Sequence, residues 1–245
     1  MKKIGITFGG GGGFISYYCG IAKYIQTNYD TSNLYFAGSS AGVVSAFLLA
    51  INYDIDTAHK QFITPWFQIA KKNYWFAPNS IVSYDLFPTM YSLFKKMFYQ
   101  KKFLKKIQHR LFIFTTNLDL TKKCFDTYHS MSDVRKIMCC SCALPGVFSS
   151  GIGLKYKHNT KFMDGSFPTG VSCLTPNNDI NWIPISLTLL GVSDPNFFLL
   201  PATLLTWVIA DPNINDYLYH LGYQHASKID LSQIKHLKIQ NKFDK

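Results

Sequence analysis

The spacing of hydrophobic and polar positions changes several times along the chain, and each change marks an element. Lys3 to Phe8 alternate and are partly β-branched, which predicts a first strand. A run of glycines, Gly9 to Gly13, follows it. From Ser16 to Tyr29 the apolar residues Tyr17, Ile21, Tyr24 and Ile25 recur at helical spacing. Leu34 to Ala37 reads as a second strand, and the small, apolar run Ala41 to Ile51 as a buried helix. The order strand, glycine loop, helix, strand, turn, helix predicts an α/β fold: a mostly parallel sheet covered on both faces.

The middle of the chain, about residues 54 to 110, reads as helices and loops broken at Pro65, Pro78 and Pro88. Its last part is basic, with Lys95, Lys96, Lys101, Lys102, Lys105, Lys106, His109 and Arg110. Leu104, Ile107 and Leu111 fall on one face, so an amphipathic basic helix is expected to run to Arg110. Beyond it come a strand over Leu111 to Thr116, a turn over Asn117 to Lys123 and a return strand over Cys124 to Tyr128. A helix is expected over Met131 to Cys142, stopped by Pro145-Gly146. Lys161 to Met163 reads as a short strand ending at Asp164-Gly165. A strand around Ile183 to Leu190 and helices near Leu199 to Ile209 and Ile214 to Ile229 complete the reading. With no repeat and no low-complexity linker, residues 1–245 are expected to form one domain.

Composition narrows the picture. At 47% hydrophobic and 16% charged the chain builds a core and is not a disordered segment. The net charge of +11 suits an anionic partner, either a nucleic acid or an anionic membrane surface, or is plain surface charge. No recognisable nucleic-acid-binding module accompanies it, so a nucleic-acid partner is not expected. The six cysteines Cys19, Cys124, Cys139, Cys140, Cys142 and Cys173 have no zinc spacing, and adjacent Cys139 and Cys140 do not suit a secreted disulfide framework. They read as small core side chains in a reducing compartment. The apolar stretch Ile4 to Phe8 stops at glycine, so no signal peptide is expected. The longest apolar stretch, Phe197 to Ala210, is broken by Pro201 and is too short to span a bilayer. The expectation is a cytoplasmic protein. The basic helix offers charge for peripheral contact with an anionic membrane or is a solvated lysine face on a core-packed helix. The run Phe197 to Leu200 reads as part of a buried C-terminal helix rather than as a membrane insert.

Three segments carry candidate chemistry. Gly38-Ser39-Ser40-Ala41-Gly42 sits between a predicted strand and a predicted helix. A serine on that turn projects its hydroxyl from the sheet edge, beside the positive end of the following helix. On the turn alone, Ser39 and Ser40 read equally well as helix caps. The glycine loop leaves backbone N–H groups uncovered, which suits an oxyanion hole. It lacks the Gly-Lys-Ser/Thr ending of a phosphate-binding loop, and no acidic residue closes the next strand as a dinucleotide site requires. The third segment is Phe162-Met163-Asp164-Gly165, a carboxylate after a short apolar strand. Within reach of a serine it serves as a base; by itself Asp-Gly is a turn. None of the seven histidines stands in a motif that would make it a base, and His59, His109 and His158 read as surface residues.

Taken in order, these segments resemble the patatin-like phospholipases. Ile6-Thr7-Phe8-Gly9-Gly10-Gly11-Gly12, with Gly20 and the helix Ile21-Ala22-Lys23-Tyr24, is similar to the family's oxyanion segment. Phe36 to Gly42 is similar to its nucleophile elbow, with Gly38 and Gly42 flanking the serine. Ser141-Cys142-Ala143-Leu144-Pro145-Gly146-Val147-Phe148 resembles the segment that precedes its aspartate, and Met163-Asp164-Gly165-Ser166 stands where the family has Asp-Gly-Gly or Asp-Gly-Ala. Gly222-Tyr223-Gln224-His225-Ala226 is similar to a helix near the domain's end. The resemblance covers about residues 4 to 175 well and 176 to 245 loosely.

The resemblance implies a three-layer α/β/α fold and a Ser-Asp dyad of Ser40 and Asp164 that needs no histidine, metal or cofactor. It implies an oxyanion hole at Gly10, Gly11, Gly12 and Gly13, and a phospholipid, lysophospholipid or acylglycerol as substrate. Two departures stand out. Where the family has a cation and a glycine after the triplet, this chain has Phe14 and Ile15, or Ser16 at the glycine place if the alignment slips by one. A catalytically weakened relative that binds lipid or a protein partner is the alternative reading.

Overall fold

The computed structural model describes residues 3–75, 91–92, 94–95, 100–144, 153–156, 160–170, 172–176, 179–190 and 211–239. The expectations at Pro78, Pro88, Pro145-Gly146, His158 and residues 197–210 lie outside them.

Strand β1 (Lys3–Phe8) is the centre of the parallel part of the sheet. It pairs in parallel with β2 (Tyr35–Ser39) on one side and β7 (Ile180–Ile185) on the other. β3 (Leu111–Asn117) continues the parallel set beyond β2. β4 (Lys122–Phe125) and β6 (Lys161–Met163) pair antiparallel to β3, and β5 (Leu154–Lys155) antiparallel to β6. Side chains alternate between two faces. Ile6, Phe8, Phe36, Ile113 and Ile183 join the main core, while Ala37, Phe112, Phe114 and Ile180 form a smaller cluster. The architecture is a three-layer α/β/α fold around a mostly parallel sheet.

Helix α1 (Ile15–Asn28) follows the glycine loop, and α2 (Gly42–Ile51) follows β2 with every residue buried. A nearly unbroken helical stretch runs from α3 (Ile55–Ala58) through a π-helical segment, His59–Ile63, into α4 (Thr64–Trp75). Pro65 therefore does not break the chain, contrary to expectation. It enters just after a widened turn, in which the Thr64 N–H reaches back to the His59 carbonyl, and that widening relieves the ring's clash with the preceding turn. After α5 (Lys102–Ile107) and the β3–β4 hairpin comes α6 (Met131–Ser141), capped by the Ser130 side chain on the Asp133 N–H. Helix α7 (Pro212–Ala226) packs against α1. Their backbones nearly touch: a methyl at Gly20 would lie 1.9 Å from the Tyr219 carbonyl oxygen, and one at Gly222 would lie 2.0 Å from that of Tyr17.

Three further expectations need correction. The basic helix stops at Ile107, because Gln108 turns extended and its side chain clamps the backbone of Tyr128. Arg110 is half-buried and donates to the carbonyls of Thr31, Leu34 and Ala50, tying the entry of β2 to the end of α2. It is a structural cation rather than a membrane-facing one. Past Ile185 the last strand gives way to a 3-10 turn, Leu187–Leu190, where the Ser186 hydroxyl accepts from the Thr188 N–H.

His59 is the third correction, since it is 3% exposed rather than on the surface. Its ring stacks on Tyr219, and its Nε2 lies 3.1 Å from the Ser16 hydroxyl, which donates to Asn215 at 2.7 Å. Tyr219 in turn donates to Asp56, which pairs with Lys23. Burial lowers the His59 pKa from 6.5 to about 4, against the pull of Asp216. Native His59 is thus neutral where an unfolded one is charged. Its contribution is complete above about pH 6.5 and drains away as the pH falls toward 4. Between pH 7 and pH 4.5 the wild type is expected to lose about 2 kcal/mol on this account. His59→Gln should flatten that loss, which urea denaturation at the two pH values measures.

Candidate active site

The site arises from the register of β3. Phe114 pairs with Ser39 on one edge and with Cys124 on the other, while Thr116 pairs with Met163 and with Lys122. β4 therefore occupies one edge of β3, and β2 and β6 share the other edge end to end. They run in opposite directions, so each terminates near the level of Thr115. The residue after β2 is Ser40, and the residue after β6 is Asp164. Their side chains meet: Ser40 Oγ donates to Asp164 Oδ2 at 2.7 Å.

Ser40 sits at φ 51°, in the left-handed region. That conformation costs a residue with a Cβ about 1–2 kcal/mol. Surrounding contacts hold it there. The Ser40 N–H donates to Ser141 Oγ at 3.0 Å, and Ser141 Oγ donates to the Phe114 carbonyl at 2.6 Å. The Cys142 thiol donates to the Ser40 carbonyl. The glycines on either side are sterically required. A methyl at Gly38 would lie 2.7 Å from Val43 Cα, and one at Gly42 would lie 2.5 Å from the Gly9 carbonyl oxygen. The capping alternative fails, because no side chain caps α2. Ser40 is instead turned to Asp164, and Ser39 accepts a hydrogen bond from Ser166 at 2.8 Å.

Asp164 is 2% exposed. Burial raises its pKa from 3.8 to about 6, even though its bond to Ser40, the Ser166 N–H and the Lys122 charge all pull it down. The Ser166 N–H donates to Asp164 Oδ1 at 2.8 Å, so each carboxylate oxygen has a donor. Thr116 Oγ1 donates to the Asp164 carbonyl at 2.8 Å. Lys122 Nζ donates to the carbonyls of Gly165, at 2.9 Å, and Phe167, at 2.6 Å, and fastens the whole turn to β4.

The glycine loop reaches this turn. A methyl at Gly10 would lie 2.2 Å from Ser166 Oγ, and the Gly10 carbonyl accepts from Tyr18 at 2.9 Å. Gly9 donates to Ile185, whereas among the described residues the N–H groups of Gly10 and Gly11 have no acceptor. Gly12, at φ 52°, opens a 3-10 turn with Gly13 and Phe14. Phe14 is packed into the core, and Ser16 belongs to the buried His59 network. Neither residue brings a cation to the loop.

Of the residues singled out in the sequence, Ser40, Asp164, Gly10, Gly38 and Gly42 are brought together. Ser141, Ser166, Thr116 and Lys122 also support the site. Ser141 and Ser166 lay within quoted motifs and had a local signal. Thr116 and Lys122 are paired only through the hairpin and had none. Among the described residues no cluster of histidine, cysteine or carboxylate side chains is placed to hold a metal ion.

The model of the patatin-like phospholipase family matches residues 6–172, more than half of the chain. No curated protein matches it. A solved structure, that of VipD from Legionella pneumophila, is similar at 13% identity and a TM-score of 0.43, over 75% of this chain and 50% of that one. The chain thus spans half the length of VipD.

Removing the Lys122 charge takes away one influence that lowers the Asp164 pKa. Lys122→Met is expected to move the Asp164 carboxyl titration further upward, as followed by carbon-13 NMR of labelled aspartate.

Proposed function

The chain belongs to the patatin-like phospholipase family, lipid acyl hydrolases in general, and from that premise we propose that it cleaves carboxylic esters of phospholipids or lysophospholipids through Ser40 and Asp164. One observation carries the reading: the 2.7 Å hydrogen bond between Ser40 Oγ and Asp164 Oδ2 at the end of the parallel strands. Residues 1–245 are read as a single domain of this kind, in a cytoplasmic protein whose membrane contact is peripheral.

In this mechanism Asp164 takes the proton from Ser40 Oγ as that oxygen attacks the ester carbonyl. The carbonyl oxygen becomes an oxyanion, met by N–H groups of the glycine loop, Gly10 to Gly13. The intermediate collapses, Asp164 returns the proton to the departing alcohol, and the acyl group stays on Ser40. Asp164 then draws a proton from water as the water oxygen attacks the acyl carbonyl, and passes that proton to Ser40 Oγ as the bond to the acyl group breaks and the fatty acid leaves. An ordinary aspartate is a weak base for such a step. A pKa of about 6, set by burial, brings this one much nearer to working pH. Among the described histidines none contacts the pair: His59 bonds to Ser16, His225 to Tyr17 and His109 to Asp126.

A weakened relative that binds lipid or a partner is the second reading, and Phe14 favours it. The loop offers the oxyanion backbone dipoles without a cation. An ester panel on the purified protein separates the two, since only an active enzyme turns over phospholipid, lysophospholipid or short-chain ester.

A fluorophosphonate probe is expected to label wild type at Ser40 and to leave Ser40→Ala unlabelled. Ser40→Ala and Asp164→Asn should each lower turnover about a thousandfold or more. The base acts only when ionised, so kcat/KM should rise with pH, turn over at about 6 and stay level above it. The raised pKa also means that folding favours protonated Asp164. This contribution is complete below about pH 3.8 and is lost as the pH rises through about 6. Asp164→Asn is therefore expected to gain up to about 3 kcal/mol of stability at pH 8, a gain that thermal melts would reveal.

A further inference from the structure

The tip of the β3–β4 hairpin exposes two large apolar side chains, Leu118 at 53% and Leu120 at 51%. Isolated exposed leucines are common, but this turn holds its leucines outward. Asn117 N–H donates to the Thr121 carbonyl and Leu120 N–H to the Asn117 carbonyl. Asp119 Oδ1 accepts from both the N–H and the hydroxyl of Thr121. Leu120 is fixed at φ 68°, where a branched side chain is disfavoured. Phe167, at 36% exposure, borders the base of the hairpin, since its carbonyl accepts from Lys122 and Thr116.

Basic residues flank this apolar tip. Asn117 pairs with Phe162, so Lys161, exposed, falls level with Leu118. Lys155 is also exposed and pairs directly with Lys161. Like charges set opposite each other across two strands destabilise a sheet. Among the described residues neither lysine meets a carboxylate. Asp119 is the one acid in the turn, and it is engaged by Thr121.

We propose that this hairpin tip, with the Lys155–Lys161 pair beside it, seats the protein on an anionic lipid surface. Leucines enter the acyl boundary while the lysines meet lipid phosphates. The proposal rests on the hydrolase reading and names how its substrate is reached. The tip projects from the carboxyl end of β3, just beyond the level of Ser40 and Asp164. Lys122 ties it to the Asp164 turn through the Gly165 and Phe167 carbonyls. Docking there would bring a lipid surface to the end of the sheet that carries Ser40 and Asp164.

The test uses the full chain carrying Leu118→Ser and Leu120→Asn, since asparagine tolerates the left-handed conformation. Sedimentation is run in a Ser40→Ala background, with phosphatidylcholine vesicles containing or lacking phosphatidylserine. The leucine variant is expected to lose about tenfold or more in binding to the anionic vesicles. On the active background it should lose phospholipid hydrolysis in parallel and keep its rate on a water-soluble short-chain ester. Lys155→Gln with Lys161→Gln should abolish the preference for phosphatidylserine. Undiminished vesicle binding by the leucine variant overturns the proposal, as does equal loss on the soluble ester. A tip that pairs two copies in analytical ultracentrifugation while wild type ignores both vesicles also overturns it. If wild type cleaves no ester at all, the hydrolase reading fails, while sedimentation still decides the docking.

Discussion

Strand β3 fixes where Ser40 and Asp164 meet. One of its edges is shared by two strands running toward each other, β2 from below and β6 from above. Neither can pass the other, so both chains must turn out of the sheet at the same level. Ser40 and Asp164 occupy those turns, and a hydrogen bond joins residues 124 positions apart in sequence. The loss of either strand's register by one residue would send one of the two side chains to the opposite face.

The same junction concentrates what is costly. It holds a serine in the left-handed region and a carboxylate removed from water. Each is stabilised by groups that belong to other elements. Ser141 from α6 and the Phe114 carbonyl from β3 hold the serine backbone. Ser166, Thr116 and Lys122 hold the aspartate turn. The glycine loop closes over the junction because Gly10 lacks the side chain that would strike Ser166. Strain and a buried carboxylate that coincide at one junction and are over-determined by their surroundings mark it as a candidate functional site.

A second polar assembly lies beneath α1 and α7. Ser16, His59, Asn215, Tyr219 and Asp56 satisfy one another in a chain of hydrogen bonds and stacking. It sits at the foot of the helix that leaves the glycine loop, so it fixes the direction in which that loop departs. The loop contributes dipoles rather than a cation, and Phe14 anchors it into the core instead. The Arg110 guanidinium does comparable work at the far end of β2, where it donates to the carbonyls of Thr31, Leu34 and Ala50.

The sequence by itself determined the elements around the site and their order. The alternation in Lys3 to Phe8, the helical period after Ser16 and the small residues around Ser40 are local patterns, and local sterics and burial enforce them directly. The motif residues Ser40, Asp164, Gly10, Gly38 and Gly42 were singled out only by their resemblance, taken in order, to the family's segments, since the serine segment alone read equally well as a cap and the aspartate segment alone as a turn. Only tertiary structure decided the rest. That Ser40 faces Asp164 follows from strand register, which is a relation between distant segments. His59 looked like a surface residue because its neighbours in sequence are polar, yet its partners come from α1 and α7. Arg110 read as the end of a basic, membrane-facing helix and Lys122 carried no signal at all, yet each donates to carbonyls brought near by the fold. A side chain's partners are set by what packs against it, and for these residues that neighbour lies far along the chain.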